Sequence, residues 1–99
     1  MAKRKNEVIR PVLPPLIEEI RRGVPYRYHP LGKYVVVEPA VAGGLPIIKH
    51  TRITAGALLG WLKGGHSLKE VAAQYSLPLA AVREAAELAA EYDYERSYA

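Results

Sequence analysis

The sequence predicts a mainly α protein with a small β-hairpin: a three-helix body of helix-turn-helix layout, preceded by a short helix and the hairpin. Three observations carry that expectation. Residues 54–92 contain apolar positions at helical spacing, interrupted by Gly64-Gly65 and by Ser76-Leu77-Pro78. Aromatic and β-branched residues flank Pro30-Leu31-Gly32 on both sides, the pattern of two strands around a turn. Leu13, Leu16, Ile17 and Ile20 recur at helical spacing ahead of them.

Taken in order, residues 1–12 read as a basic arm in which Lys3, Arg4, Lys5 and Arg10 supply charge. A short helix is expected from about residue 14 to residue 22, because Pro14 and Pro15 suit a first turn and Gly23 suits the position past a helix end. Tyr26-Arg27-Tyr28-His29 and Lys33-Tyr34-Val35-Val36-Val37 are the two arms of the hairpin, and Pro46-Ile47-Ile48 can add a third short strand. Gly43-Gly44 marks a turn that needs positive φ. Residues 13–53 thus form the short helix, the hairpin and a Gly-Gly loop.

The body spans residues 54–92. Thr54 can cap a helix through Leu58, Leu59 and Leu62. Ser67-Leu68-Lys69-Glu70 is a capping box, since the Ser67 hydroxyl can accept from the Glu70 N–H while Glu70 reaches back. Pro78 suits the start of a third, Ala-rich helix from about Leu79 to Tyr92, and residues 93–99 read as a tail. The whole is a single domain of 99 residues.

Composition removes several function classes. With 49% hydrophobic residues the chain has enough apolar content for a core. It has no cysteine, which excludes disulfides, thiolate metal sites and cysteine nucleophiles, and fits a reducing cytoplasm. No apolar run approaches the roughly 20 residues of a membrane span, and the basic start leads into Pro-interrupted sequence, unlike a signal peptide. The net charge of +4 is uneven: residues 1–52 hold 10 Lys/Arg against 4 Glu, and residues 53–99 hold 4 against 6 acidic residues. Only the first half can attract phosphate or an acidic partner. His29, His50 and His66 have no metal-ligand spacing, and no nucleophile, base and orienting acid are grouped. The expectation is therefore no enzyme, no metal, no cofactor and no small-molecule substrate.

One run is the most informative. Glu38-Pro39, Gly43-Gly44-Leu45-Pro46, Ile47-Ile48, Lys49-His50-Thr51-Arg52 and Ile53 follow one another, and Gly65-His66-Ser67-Leu68-Lys69-Glu70-Val71-Ala72 comes later. From Val36 to Tyr92 the chain resembles the bacterial family called "domain of unknown function 433". The family pattern is an acidic-Pro pair, a Gly-Gly-Arg-Pro-like turn, an apolar pair, Lys-Gly-Thr-Arg, and then Gly-x-Ser-x-x-Glu-apolar-Ala. Here Leu45 stands where that pattern has Arg, and His50 where it has Gly, which suggests that this loop does not require positive φ at 50. The resemblance implies a homeodomain-like helix-turn-helix fold and a VapB-type antitoxin. Such a protein neutralises a PIN-like ribonuclease toxin and, binding operator DNA, represses the promoter they share.

Candidate sites follow. DNA contact is expected from Lys3, Arg4, Lys5 and Arg10 along the backbone or in a minor groove, and from Lys49 and Arg52 just ahead of the three-helix body. Arg83 is the one cation among the outward candidates Ala80, Arg83, Glu84 and Glu87 at the recognition position, a poor set for a groove lined by phosphate. A merely solubilising arm, and an Arg52–Glu38 ion pair, are the competing structural readings. Since PIN-type sites hold metal through carboxylates, the resemblance implies that a cation such as Arg52 or an arm residue enters the toxin. Tyr94 and Tyr98 in the tail are candidate partner anchors. The third helix carries a second apolar stripe, Ala81, Ala85, Leu88 and Tyr92, expected either to form a two-fold dimer or to lie in a small core. Tyr26, Tyr28 and Tyr34 are expected to pack, with base stacking as the alternative. The runner-up function is a protein-interaction or oligomerisation module without DNA binding.

Overall fold

The computed structural model describes residues 13–92. Four strands come first: β1 (Ile17–Arg21), β2 (Val24–Pro30), β3 (Val35–Val37) and β4 (Pro46–Ile48). Three helices follow: α1 (Ala55–Lys63), α2 (Leu68–Tyr75) and α3 (Leu79–Tyr92). The strands form one antiparallel sheet in the order β1-β2-β3-β4. The fold is therefore mixed α and β, not mainly α with a small hairpin, and the expected class is corrected on that point.

The error lies at residues 14–22, which are a strand and not a helix. Arg22 and Gly23 have φ of 52° and 79°, the two left-handed residues of a type I′ turn, and Arg21 faces Val24 across it. Gly23 signals a hairpin here, not a helix end. Pairing then takes Ile17 to Tyr28 and Glu19 to Tyr26. The spacing of 13, 16, 17 and 20 fits a helix, but a hairpin partner with five cross-strand positions outweighs it.

The second hairpin stands where the sequence places it, with His29 opposite Val37 and Pro30 opposite Val36. β4 pairs with β3 through Val36 and Ile47. All six residues of β3 and β4 are buried, because both faces of the sheet are covered. Val35 and Ile48 join the main core with Leu58, Leu59, Val71 and Val82. Val36 and Ile47 face the other way, under Tyr28.

The helices begin and end on local chemistry. Thr54 accepts from the Ala57 N–H, and Ser67 and Glu70 form the reciprocal capping box. The Ser67 backbone N–H also holds the Glu70 carboxyl below the usual carboxylate range. α2 stops in a Schellman arrangement: Ser76 is left-handed at φ 56°, Ser76 N–H donates to Ala73 C=O, and Leu77 N–H to Ala72 C=O.

α3 is the central helix. Ala81, Val82, Ala85 and Ala89 are all 0% exposed, packed by α1, α2 and the sheet of the same chain. This corrects the dimer reading for Ala81 and Ala85, since side chains without exposed area have nothing to offer a second subunit. Leu88 is half-buried against the same core. Tyr92 ends the helix.

Glu84 also departs from the sequence reading. It faces the sheet, not solvent. Its carboxylate accepts from three consecutive backbone N–H groups, Lys33 at 3.0 Å, Tyr34 at 2.7 Å and Val35 at 2.9 Å, and so pins α3 to the start of β3. Among the described residues no helix is long and apolar enough to cross a membrane.

Candidate functional site

The helix-free face of the sheet carries a stack of rings and cations. β2 alternates, so Tyr26 and Tyr28 share this face while Arg27 points to the other. Their ring centroids lie 4.9 Å apart. His50 continues the row at 4.7 Å from Tyr26. The Lys49 ammonium closes the other end, 4.3 Å from the Tyr28 centroid and 3.1 Å from its hydroxyl. Tyr28 O–H in turn donates to Glu19 at 2.8 Å, and Tyr26 O–H donates to Glu38 at 2.9 Å. Burial, and then the Glu38 carboxylate, push the Tyr26 phenol above its usual range.

Two loops bring these groups together. In the first, Ala42, Gly43 and Gly44 take φ of 51°, 63° and 81° in succession, so the pair of glycines serves a backbone that residues with a Cβ rarely adopt. Val41 and Ala42 pack on Tyr28, Val36 and Ile47.

The second loop runs from β4 into α1 and is locked by Thr51. Its hydroxyl donates to Ile48 C=O at 2.7 Å and accepts from Ile53 N–H at 3.0 Å. His50 at its tip has φ of 66°. The position does require the left-handed region, contrary to the inference from His replacing Gly. The imidazole is held by its stack on Tyr26 and by Arg21, whose guanidinium donates to Nδ1 at 2.8 Å. Burial against these groups, with the charges of Arg21 and Lys49, lowers the His50 pKa below 6.5. The ring is neutral at pH 7, with Nδ1 as acceptor.

A shallow concavity opens beside the stack, lined by Arg21, Tyr26, Glu38, Val41, His50, Thr51 and Arg52. Arg52 is exposed and pairs with no described group, so the Arg52–Glu38 ion pair is not formed. Arg21 spends its donor on a neutral ring, and Glu38 takes the Tyr26 hydroxyl. Among the described residues, the rim of the concavity therefore presents two guanidinium groups without a carboxylate bound to either.

Each expected site residue can now be placed. Arg52 and Lys49 sit on the same loop, but Lys49 is engaged by Tyr28 and lies 3.9 Å from Glu19, which leaves it a poor phosphate contact. Arg83 is exposed on α3, alongside exposed Glu87. Lys3, Arg4, Lys5, Arg10, Tyr94 and Tyr98 lie outside the described residues. Tyr26, Tyr28 and Tyr34 pack as expected. Trp61 is half exposed, donates from Nε1 to Tyr75 Oη at 2.8 Å and meets His66 edge-on. Among the described residues no three His, Asp or Glu side chains converge as metal ligands.

Sequence reasoning missed Arg21, Glu84 and the stacking role of His50. Arg21 was hidden by the mistaken helix. The partners of Glu84 and His50 are distant in sequence, and no local pattern announces them.

Comparison with curated proteins and with solved structures finds no match. A family described as "Protein of unknown function (DUF433)" matches residues 35–89, from the start of β3 to the last turn of α3, and leaves the β1–β2 hairpin outside. That span is more than half of the chain, and the chain belongs to this family.

Proposed function

We propose that the chain is an antitoxin-like regulator that neutralises a PIN-like ribonuclease toxin in the cytoplasm and represses their common promoter. The observation that carries this reading is Arg52, an exposed guanidinium without a described counter-ion, at the rim of a concavity that also holds Arg21. An uncompensated, planar cation on a rigid loop suits bidentate pairing with the carboxylates of an acidic catalytic centre. Thr51 and Ile53 fix the loop, so little side-chain freedom beyond that of Arg52 itself is lost on binding.

The test is inhibition of the PIN-like ribonuclease that this reading expects to be encoded beside the chain. Arg52→Glu is expected to abolish inhibition while the far-ultraviolet circular dichroism stays unchanged. Full inhibition by that variant overturns the role of Arg52.

A second reading, a partner-binding module without DNA contact, is favoured by α3. Its exposed face offers Arg83 with Glu87 and Glu91, which is unfavourable against phosphate. A gel shift on promoter DNA separates the two. Operator binding driven by phosphate contacts weakens by orders of magnitude between about 50 and about 200 mM salt, and a protein-only module gives no shift at either.

A further inference from the structure

Exposed apolar surface is concentrated on one hairpin. Among the described residues, the large apolar side chains open to solvent are Leu13, Leu16, Ile17, Ile20, Val24 and Trp61. All but Trp61 lie on β1, on the segment leading into it, or at the start of β2. Ile20 is 66% exposed. β1 is also an edge strand, so one side of its backbone has no ladder partner among the described residues. Edges are commonly blunted by proline, lysine or a bulge. Residues 16–21, Leu-Ile-Glu-Glu-Ile-Arg, contain none of these, and their three charged side chains are engaged within the chain, Glu18 by Arg27, Glu19 by Tyr28 and Arg21 by His50.

Hairpin geometry fixes which backbone groups are free. Arg21 and Val24 flank a two-residue type I′ turn and are the hydrogen-bonded pair that closes it. Hydrogen-bonded pairs alternate along an antiparallel ladder, so Arg21, Glu19 and Ile17 turn their N–H and C=O toward β2. Ile20 and Glu18, with Leu16 ahead of the strand, turn theirs outward.

We propose that β1 is a homodimerisation edge, where two copies of this chain pair antiparallel about a two-fold axis at Glu18. In that register Leu16 lies opposite the partner's Ile20, and Ile20 opposite the partner's Leu16. The segment Leu16-x-Glu18-x-Ile20 is its own complement, which is what an isologous interface requires. Glu18 meets the partner's Glu18, but each is already held by its own Arg27, Nε to Oε1 at 2.6 Å, so the row across the junction is neutral. A register centred on Glu19 instead sets Ile20 against Glu18 and loses the Leu16–Ile20 pair, so the two most exposed apolar side chains of the segment no longer meet. Pro15 on one side and the turn at Arg22–Gly23 on the other limit the pairing to the length this register uses. The paired segment, residues 16–20, lies outside residues 35–89 and does not include Arg52.

The test uses the full chain. Sedimentation equilibrium is expected to give twice the chain mass at about 100 µM, and Leu16→Lys with Ile20→Lys is expected to halve it without changing the circular dichroism. A second variant covers the case in which the double substitution unfolds the protein. The natural sequence has no cysteine, so Glu18→Cys introduces a single thiol at the axis. Opposed Cα atoms in a hydrogen-bonded antiparallel pair are about 5.5 Å apart, within disulfide range. Mild oxidation is expected to convert this variant to a covalent dimer, while Glu87→Cys on α3 gives no covalent dimer. A wild-type monomer at that concentration overturns the proposal, whether residues 1–12, another protein or nothing covers the edge. So does a dimer that survives both lysines, or equal cross-linking at positions 18 and 87.

Discussion

Glu84 and Gly32 are fitted to one another. A β-carbon built on Gly32 would lie 2.6 Å from the Glu84 carboxyl carbon, so the loop before β3 can wrap this carboxylate only where it has no side chain. The three N–H groups that Glu84 accepts belong to the next three residues. The contact joins α3 to the sheet across about half the chain and fixes the loop that enters β3.

Gly32→Ala is expected to destabilise the fold by about 2 kcal/mol, through displacement of the carboxylate and loss of its hydrogen bonds. Glu84→Ala, which leaves the three donors without their acceptor, is expected to cost about 2–3 kcal/mol. Urea unfolding measures both. Combined, the two changes are expected to cost less than their sum, because they remove the same contact.

Ser76→Gly is expected to stabilise the protein. Ser76 ends α2 at φ 56°, where a side chain is strained and glycine is not. The gain is about 1 kcal/mol, seen as a rise in melting temperature of about 4–8 °C for a domain of this size.

His50 couples stability to pH. Its folded pKa lies below 6.5, so the unfolded chain binds the proton more readily. The contribution is complete above about pH 6.5 and is lost as pH falls toward the folded pKa. The cause is local: a protonated ring can no longer accept from Arg21, and it adds a third cation beside Arg21 and Lys49. His50→Asn tolerates the left-handed backbone and does not titrate. It is expected to reduce the fall in stability between pH 7.5 and pH 5.5, measured by denaturant unfolding at each pH.

Thr51 and Arg52 are expected to separate structure from function. Thr51→Val removes a hydroxyl that both donates and accepts, at a cost of about 1–2 kcal/mol. Arg52→Ala removes a side chain with no described partner and is expected to stay within about 0.5 kcal/mol of the wild type. Thermal unfolding of the two variants tests the contrast.

The helices were legible because their signals are local. Thr54, the Ser67–Glu70 box and Pro78 act within one turn of themselves, and the three helices begin where those residues put them. The sheet was only partly legible. β2, β3 and β4 follow from β-branched and aromatic runs, whereas β1 carries isoleucines at a spacing that suits either structure, and its pairing with β2 decided the matter. Of the site, Arg52 and the Gly-Gly loop stood out as residues. Their neighbours did not, since Arg21 reaches His50 across 29 positions and Glu84 reaches Tyr34 across 50.

Tyr28 roofs Val36 and Ile47 from a hairpin that the family match leaves out. A polypeptide reduced to residues 35–89 would lose both tyrosines from that side of its sheet and keep only Val41 and Ala42 over Val36 and Ile47. Shortened in this way, the protein has to borrow a substitute roof from another molecule or precipitate, so the first hairpin is part of what keeps a single copy self-sufficient.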